Sequence, residues 1–281
     1  MDKVEIFEVG PRDGLQNQAG FIATADKIKL VQLLVAAGFA RIEVASFVSP
    51  KWVPQMADGA EVLAGIGNVA AEMWALTPNA RGLSAAISAS VEGVAVFGSA
   101  SEGFSRANIN ATVDESLKRF APLVSEAKET GLKVRGYISC VTDCPYDGAT
   151  PPARVARVAK ALLAMGCDEI SLGETLGRAT PEAVDAMLRA VLNEVPAAQL
   201  AGHFHDTAGV ALGNIDVSLK HGLCIFDASI AGLGGCPYAP GAAGNVATEA
   251  VHAHLTALGY DTNLDATALD KAATFAKGLR A

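Results

Sequence analysis

Short apolar runs rich in β-branched residues alternate with longer amphipathic segments along most of the chain. The runs cover 4–9, 41–45, 72–76, 93–97, 133–139, 169–172, 199–205 and 226–231, and read as eight strands. Between most of them, apolar residues recur at helical spacing, as in 25–37, 113–130, 152–165, 181–194 and 214–221. Several of these segments stop at a glycine, namely Gly38, Gly131 and Gly166, the residue that best closes a helix. A further helical segment follows Asn245 to 258, and one more short helix spans 264–279.

Strands that are apolar on both faces are the mark of a parallel sheet. Eight strand and helix units in about 260 residues predict a (β/α)8 TIM barrel of the α/β class, with an extra C-terminal helix. Residues 1–281 are expected to form a single domain. The alternative is a doubly wound open sheet. Against it, the turn after the first strand reads Gly10-Pro11-Arg12-Asp13-Gly14, not the glycine pattern of a dinucleotide-binding turn.

Composition narrows the partners. The chain has 281 residues, is 51% hydrophobic and 19% charged, and carries a net charge of −8. Without a basic run, neither nucleic acid nor an acidic membrane surface is expected to bind, and no stretch is long and apolar enough to span a bilayer. A small-molecule substrate is the expectation. Five cysteines, Cys140, Cys144, Cys167, Cys224 and Cys236, do not form a disulfide framework in a chain of this length and fit a reducing compartment. The N-terminus enters a strand at once, with neither an Arg-rich leader nor a signal peptide, so a cytoplasmic location is expected.

On a barrel, chemistry gathers at the carboxyl ends of the strands. Arg12, Asp13 and Gln16 follow the first strand, and Glu43 lies on the second. Arg135 and Tyr137 lie on the fifth, Glu174 and Thr175 follow the sixth, and His203 and His205 mark the seventh. Alternate strand residues share a face, so both imidazoles can point to the axis as a divalent-metal pair. Asp13 and Asn245 can add oxygen ligands, a mixture that favours Mg²⁺ or Mn²⁺ over structural zinc. The competing reading is a pair of buried, hydrogen-bonded histidines. His252 and His254 share the spacing but lie in a predicted helix, where residues two apart diverge.

Arg12 beside Asp13 is either a surface ion pair or, given the tight glycine and proline frame, a placed guanidinium for a carboxylate or enolate oxygen. Glu43 either acts in the site or simply partners Arg12 or a ligand histidine. The segment 232–245 holds five glycines and two prolines around Cys236 and ends at Asn245. It reads as a shaped active-site loop after a strand, with Asn245 tethered to the metal and Cys236 free to close over substrate. Cys236 is the expected reactive thiol, and the other four cysteines are expected in core or loop positions.

At these residues the chain resembles the 3-hydroxy-3-methylglutaryl-CoA lyases of the TIM-barrel metallolyase family, nearly end to end. The segments 8–17, 46–56, 134–137, 203–207 and 232–245 carry the resemblance. The cysteine loop is the specific element, since related barrels share the Arg-Asp and His-x-His features without it. The resemblance implies cleavage of 3-hydroxy-3-methylglutaryl-CoA to acetyl-CoA and acetoacetate, a step of leucine degradation and ketone-body formation. It implies Asp13, His203, His205 and Asn245 as metal ligands, with no covalent organic cofactor. Arg12, Asp13, Glu43, His203 and Cys236 are the implied catalytic set. Gln16, Asn108, Arg135, Tyr137, Ser171, Glu174, Thr175, Gly235 and Glu249 are expected to bind the acyl-CoA, in a homo-oligomer, expected to be a dimer.

Three departures qualify the resemblance. Glu174 stands where the family usually has aspartate, Ala208 stands where some members have an aromatic residue, and the chain stops at Ala281, where longer members add a tail for the CoA nucleotide. A related branched 3-hydroxyacyl-CoA is therefore an alternative substrate. The rival enzyme is a Claisen-condensing synthase of the isopropylmalate or homocitrate type, which typically has glutamate where Leu15 stands. A biotin-dependent carboxyltransferase and a catalytically silent CoA- or metal-binding protein are the remaining readings.

Overall fold

The computed structural model describes residues 2–234 and 244–280. Two compact groupings divide the chain, one of residues up to 94 with 226–234 and 244 onward, the other of residues 95–225. The first holds strands β1 (Glu5–Glu8), β2 (Arg41–Ser46), β3 (Glu72–Leu76) and β8 (Ile225–Ala228). With them go helices α1 (Thr24–Ala37), α2 (Gly59–Ile66), α3 (Ala80–Ser88), α9 (Thr248–Ala257) and α10 (Ala266–Lys277). The second holds β4 (Gly93–Ser99), β5 (Lys133–Ser139), β6 (Glu169–Glu174) and β7 (Leu200–Phe204). Its helices are α4 (Glu102–Ile109), α5 (Val113–Glu129), α6 (Pro152–Met165), α7 (Pro181–Val191) and α8 (Ala211–Lys220). The strands hydrogen-bond in the order β1-β8-β7-β6-β5-β4-β3-β2 and close into the expected parallel barrel.

The helix ends follow local chemistry. Gly38 and Gly166 close α1 and α6 at φ 100° and 111°, angles that cost a side chain about 1 kcal/mol or more. Thr112 and Glu115 form a capping box at the start of α5. Helix α8 begins at Ala211, three residues before the periodicity suggests, because the Asp206 carboxylate accepts the Ala211 amide at 2.9 Å. The last strand is shorter than expected. It leaves the ladder after Ala228, and Ile230–Gly232 form a 3-10 turn with Ala231 at φ 57°. The Ile230 amide turns to the Glu8 carboxylate instead of extending the sheet. A small hairpin pairing Asp143 with Ala149 is a further element outside the sequence expectation.

Register fixes which side chains share a face. Arg135 pairs with Glu169, Tyr137 with Ser171, and Gly173 with His203. Residues 135 and 137 thus share a face with 169, 171 and 173, and with 201 and 203. Glu174 has the opposite parity. Near the start of the strands, Phe7 meets Trp74 edge to face at 5.6 Å, and the Arg41 guanidinium, paired with Glu5, lies 4.9 Å over the Phe7 ring. On such a barrel this end supports stability and leaves the chemistry to the other. Among the described residues no helix is long and apolar enough to cross a membrane.

Candidate active site

Gly10–Gly14 after β1 is a single π-type turn, with the Asp13 and Gly14 amides both returning to the Val9 carbonyl. Such turns are rare and cluster at functional sites. The turn packs closely. A Cβ on Gly14 would lie 2.7 Å from Leu233 Cβ and from Ser229 Oγ, so only glycine fits there. It presents Arg12 and Asp13 together. Arg12 Nε donates to Glu43 Oε2 at 2.6 Å, Nη2 lies 2.5 Å from the same oxygen, and Nη1 donates to Asp13 Oδ1 at 2.6 Å. Glu43 is wholly buried and the Arg12 side chain is only 7% exposed, so the pair sits in low dielectric with its fork fixed.

Asp13 is held from three sides. Arg12 and Gln16 Nε2 donate to Oδ1, the latter at 3.0 Å, and Asn245 Nδ2 donates to Oδ2 at 2.7 Å. For Asn245 to be a metal ligand its Oδ1 must face the ion, which a half-turn of the amide achieves. Among the described residues, one ligand atom each from Asp13, His203 and His205 lies within 4.8 Å of the other two. Two imidazole nitrogens, a carboxylate and an amide oxygen fit a divalent cation with coordination positions left for substrate.

On the histidine side, the rings of His203 and His205 are 5.4 Å apart, with His205 one residue beyond β7. Tyr137 meets His203 edge to face at 6.2 Å. Arg135 is fully buried, lies 2.7 Å from Glu169 and donates to the Tyr137 hydroxyl at 3.2 Å, so it supports Tyr137 from below. Ser171 is buried on the same face. Thr175 Oγ1 accepts the Cys140 amide at 2.8 Å.

Three expected substrate residues have other surroundings. Glu174 is fully buried on the opposite parity, its pKa raised by desolvation against the opposing amides of Leu176, Ala179, Gly177 and Arg178. Glu249 Oε2 accepts the Ala231 amide at 2.9 Å and so anchors the start of the glycine loop. Asn108 stands exposed on α4. Gly235 and Cys236 lie outside the described residues. Cys140, Cys144 and Cys167 are buried free thiols as expected, and Cys224 is exposed. Burial lifts Cys140 well above the usual thiol range and pushes Cys167 up to about 12, so both are inert at neutral pH. His252 bonds Thr262 at 2.8 Å on α9 and belongs to no such metal-ligand group among the described residues.

Sequence reading passed over Glu8. This acid interrupts an otherwise apolar stretch, Ile6-Phe7-Glu8-Val9, and a wholly buried carboxylate there signals a specific set of donors.

The model of the HMGL-like family matches residues 3–275. The chain belongs to the HMGL-like family. It is 55% identical over 268 residues to the "3-hydroxy-3-isohexenylglutaryl-CoA/hydroxy-methylglutaryl-CoA lyase" of Pseudomonas aeruginosa, covering 95% of this chain and 89% of that relative. It is 54% identical over 273 residues to the mitochondrial hydroxymethylglutaryl-CoA lyase of Arabidopsis thaliana, covering 97% of this chain but 58% of the length of that protein. Among solved structures, the HMG-CoA lyase from Brucella melitensis superposes with a TM-score of 0.99 at 54% identity, over 100% of this chain and 99% of that one.

Proposed function

We propose that this HMGL-like chain is a divalent-metal-dependent carbon-carbon lyase that cleaves 3-hydroxy-3-methylglutaryl-CoA to acetyl-CoA and acetoacetate, working as one barrel domain. The convergence of Asp13, His203 and His205 beside the buried Arg12–Glu43 pair carries this reading. The relatives named for the same reaction support it.

The residues divide the work of a retro-aldol cleavage. The tertiary hydroxyl must lose its proton, the bond between C2 and C3 breaks with its electrons passing to the thioester, and the resulting enolate takes a proton at C2. Asp13, His203, His205 and Asn245 would hold Mg²⁺ or Mn²⁺, which when bound would supply Lewis acidity to the substrate's oxygens. His203 would take the hydroxyl proton on its imidazole nitrogen once that nitrogen is released from the ion, because a neutral ring bound to a metal has no second free lone pair. Arg12, held rigid by Glu43 and Asp13, stabilises the negative charge that develops on the enolate oxygen. Cys236 delivers the proton to C2. Gln16, Tyr137 and Ser171 orient the acyl chain over a floor held by Arg135.

The partner is the CoA thioester, and the assembly is a homodimer. The free thiols among the described residues suit a cytoplasmic, reducing setting. A second reading concerns the substrate: the Pseudomonas relative is named for an isohexenyl-branched acyl-CoA as well, and the small Ala208 is exposed here. Purified protein with Mg²⁺ should release acetoacetate from 3-hydroxy-3-methylglutaryl-CoA. Absence of turnover with this substrate and with longer-branched analogues would overturn the lyase reading.

A further inference from the structure

Glu8 is fully buried at the end of β1, where an apolar side chain would avoid the desolvation cost of a carboxyl group. Its three donors come from separate segments. Oε1 accepts the Gly10 amide at 2.7 Å and the Ile230 amide at 2.9 Å, and Oε2 accepts the Thr248 hydroxyl at 2.7 Å. Gly10 opens the turn that carries Arg12 and Asp13. Ile230 lies just before the glycine loop, and Thr248 lies three residues past Asn245. One carboxyl group therefore ties the Arg12–Asp13 turn to both flanks of the loop, across sequence separations of 222 and 240 residues.

The surroundings are shaped to this contact. A Cβ on Gly10 would come within 2.6 Å of Glu8 Oε1, so a side chain there would push the carboxylate off the donors it now meets. The two flanks also bond to each other, the Ser229 amide to the Val246 carbonyl and the Thr248 amide to the Ser229 carbonyl, both at 3.1 Å. Glu8 thus meets a preformed pair of strand ends, and its contribution is to fix the turn against them. Asp13 and Asn245, which meet at 2.7 Å, sit on the two segments so joined.

We infer that Glu8 is a positioning residue, which sets the spacing of Asp13 and Asn245 by clamping the catalytic turn to the flanks of the glycine loop. This rests on the function proposed above. Outer partners of this kind typically govern metal affinity by about tenfold to a hundredfold, and a shift of about an ångström costs about a hundredfold in rate.

The test compares Glu8→Gln with Glu8→Leu in the full-length protein. The Gln carbonyl oxygen can accept both backbone amides while its NH2 donates to Thr248, so Mn²⁺ affinity and kcat should stay within about threefold of the parent. The Leu variant leaves two buried amides without an acceptor. Its Mn²⁺ Kd, read by paramagnetic resonance, should rise at least about tenfold, kcat should fall about a hundredfold, and KM should move little. Amide hydrogen exchange at 9–14 and 229–234 should quicken in Leu alone. A folded Leu variant with parental Mn²⁺ affinity and parental exchange overturns the inference, as does a Gln variant as impaired as Leu. Should the Leu variant not fold, Thr248→Val removes one clamp bond and should raise the Mn²⁺ Kd severalfold, and parental affinity there overturns the inference. Failure of the parent to cleave any acyl-CoA would sink the lyase reading alone, because metal affinity and exchange are read without turnover.

Discussion

Removing Glu43 separates stability from chemistry at the site. The Arg12 guanidinium is 7% exposed and has two nitrogens within 2.6 Å of Glu43 Oε2, so Glu43→Ala leaves a cation in low dielectric with Asp13 as its near acid. Breaking such a buried pair from one side costs about 3–5 kcal/mol, and the lower figure suits a site where Asp13, 18% exposed, still accepts from Nη1. For a chain of this size about 3 kcal/mol corresponds to a fall in Tm of roughly 5 °C. The assay is thermal or urea unfolding in the presence of chelator, so that metal binding does not add to the folded state by mass action. The double variant Arg12→Met, Glu43→Leu removes both charges and should regain stability to within about 1 kcal/mol of the parent while remaining without turnover. A Glu43→Ala protein that melts within about 2 °C of the parent, or a double variant as unstable as the single one, would refute the buried-pair reasoning. Turnover in the double variant would remove Arg12 from the mechanism.

Three further predictions follow from burial and position. Burial raises Glu8 to about 7, against a usual 4.5, with its three donors opposing the rise and the nearby Glu249 charge adding to it. The folded state then holds a proton that the unfolded chain releases, so this group's contribution of up to ~3 kcal/mol is present below pH 4.5 and lost as pH rises towards 7. Glu8→Gln should gain stability relative to the parent between pH 5 and 8, and a constant difference in Tm across that range would count against it. Cys236→Ala should bind Mn²⁺ as the parent does and lose most of its turnover; lost metal affinity would show that the thiol had been given the wrong role. Glu174→Asp removes one buried methylene and should cost about 1 kcal/mol in unfolding with little change in acyl-chain preference. A changed ratio of kcat/KM between methyl- and longer-branched substrates would show that Glu174 reaches the acyl chain.

The barrel was legible because its signals are local. Runs such as 72–76 and 133–139 coincide with β3 and β5, and Gly38 and Gly166 close helices where the apolar spacing ends. Parity also served: His203 and Tyr137 lie on one face, as alternation along each strand requires. The same rule places Glu174 away from them, because a one-residue offset on a strand reverses the side chain. What periodicity does not carry is contact between remote segments. Glu8 reads as an acid at a strand end until Ile230 and Thr248 are brought to it, and Glu249 reads as a helix acid until Ala231 turns its amide there. The short helices 59–66 and 102–109 gave little signal for a related reason, since at eight residues each they are stabilised by packing more than by propensity.

The glycines of the two motifs answer to one packing constraint. Read separately, Gly10 and Gly14 frame an Arg-Asp pair, and 232–245 is a loop poor in side chains. In the fold, a methyl group on Gly14 would lie 2.7 Å from Ser229 and Leu233, and one on Gly10 would lie 2.6 Å from Glu8 and tightly, at 3.1 Å, against Ser229 and Ile230. The small residues of the turn therefore exist to let the flank of the loop lie against it, and the approach is close enough for Asn245 to reach Asp13. A substitution that separates these backbones would be expected to damage metal binding before it damages folding, because the barrel strands bond independently of the turn. Gly14→Ala meets that condition: overpacking costs typically 1–3 kcal/mol, while Asp13 and Asn245 would move apart by a distance that coordination does not tolerate. Under the proposed function, the chemistry of this chain depends on backbone approach between segments more than 200 residues apart in sequence, which Glu8 bridges and glycine permits.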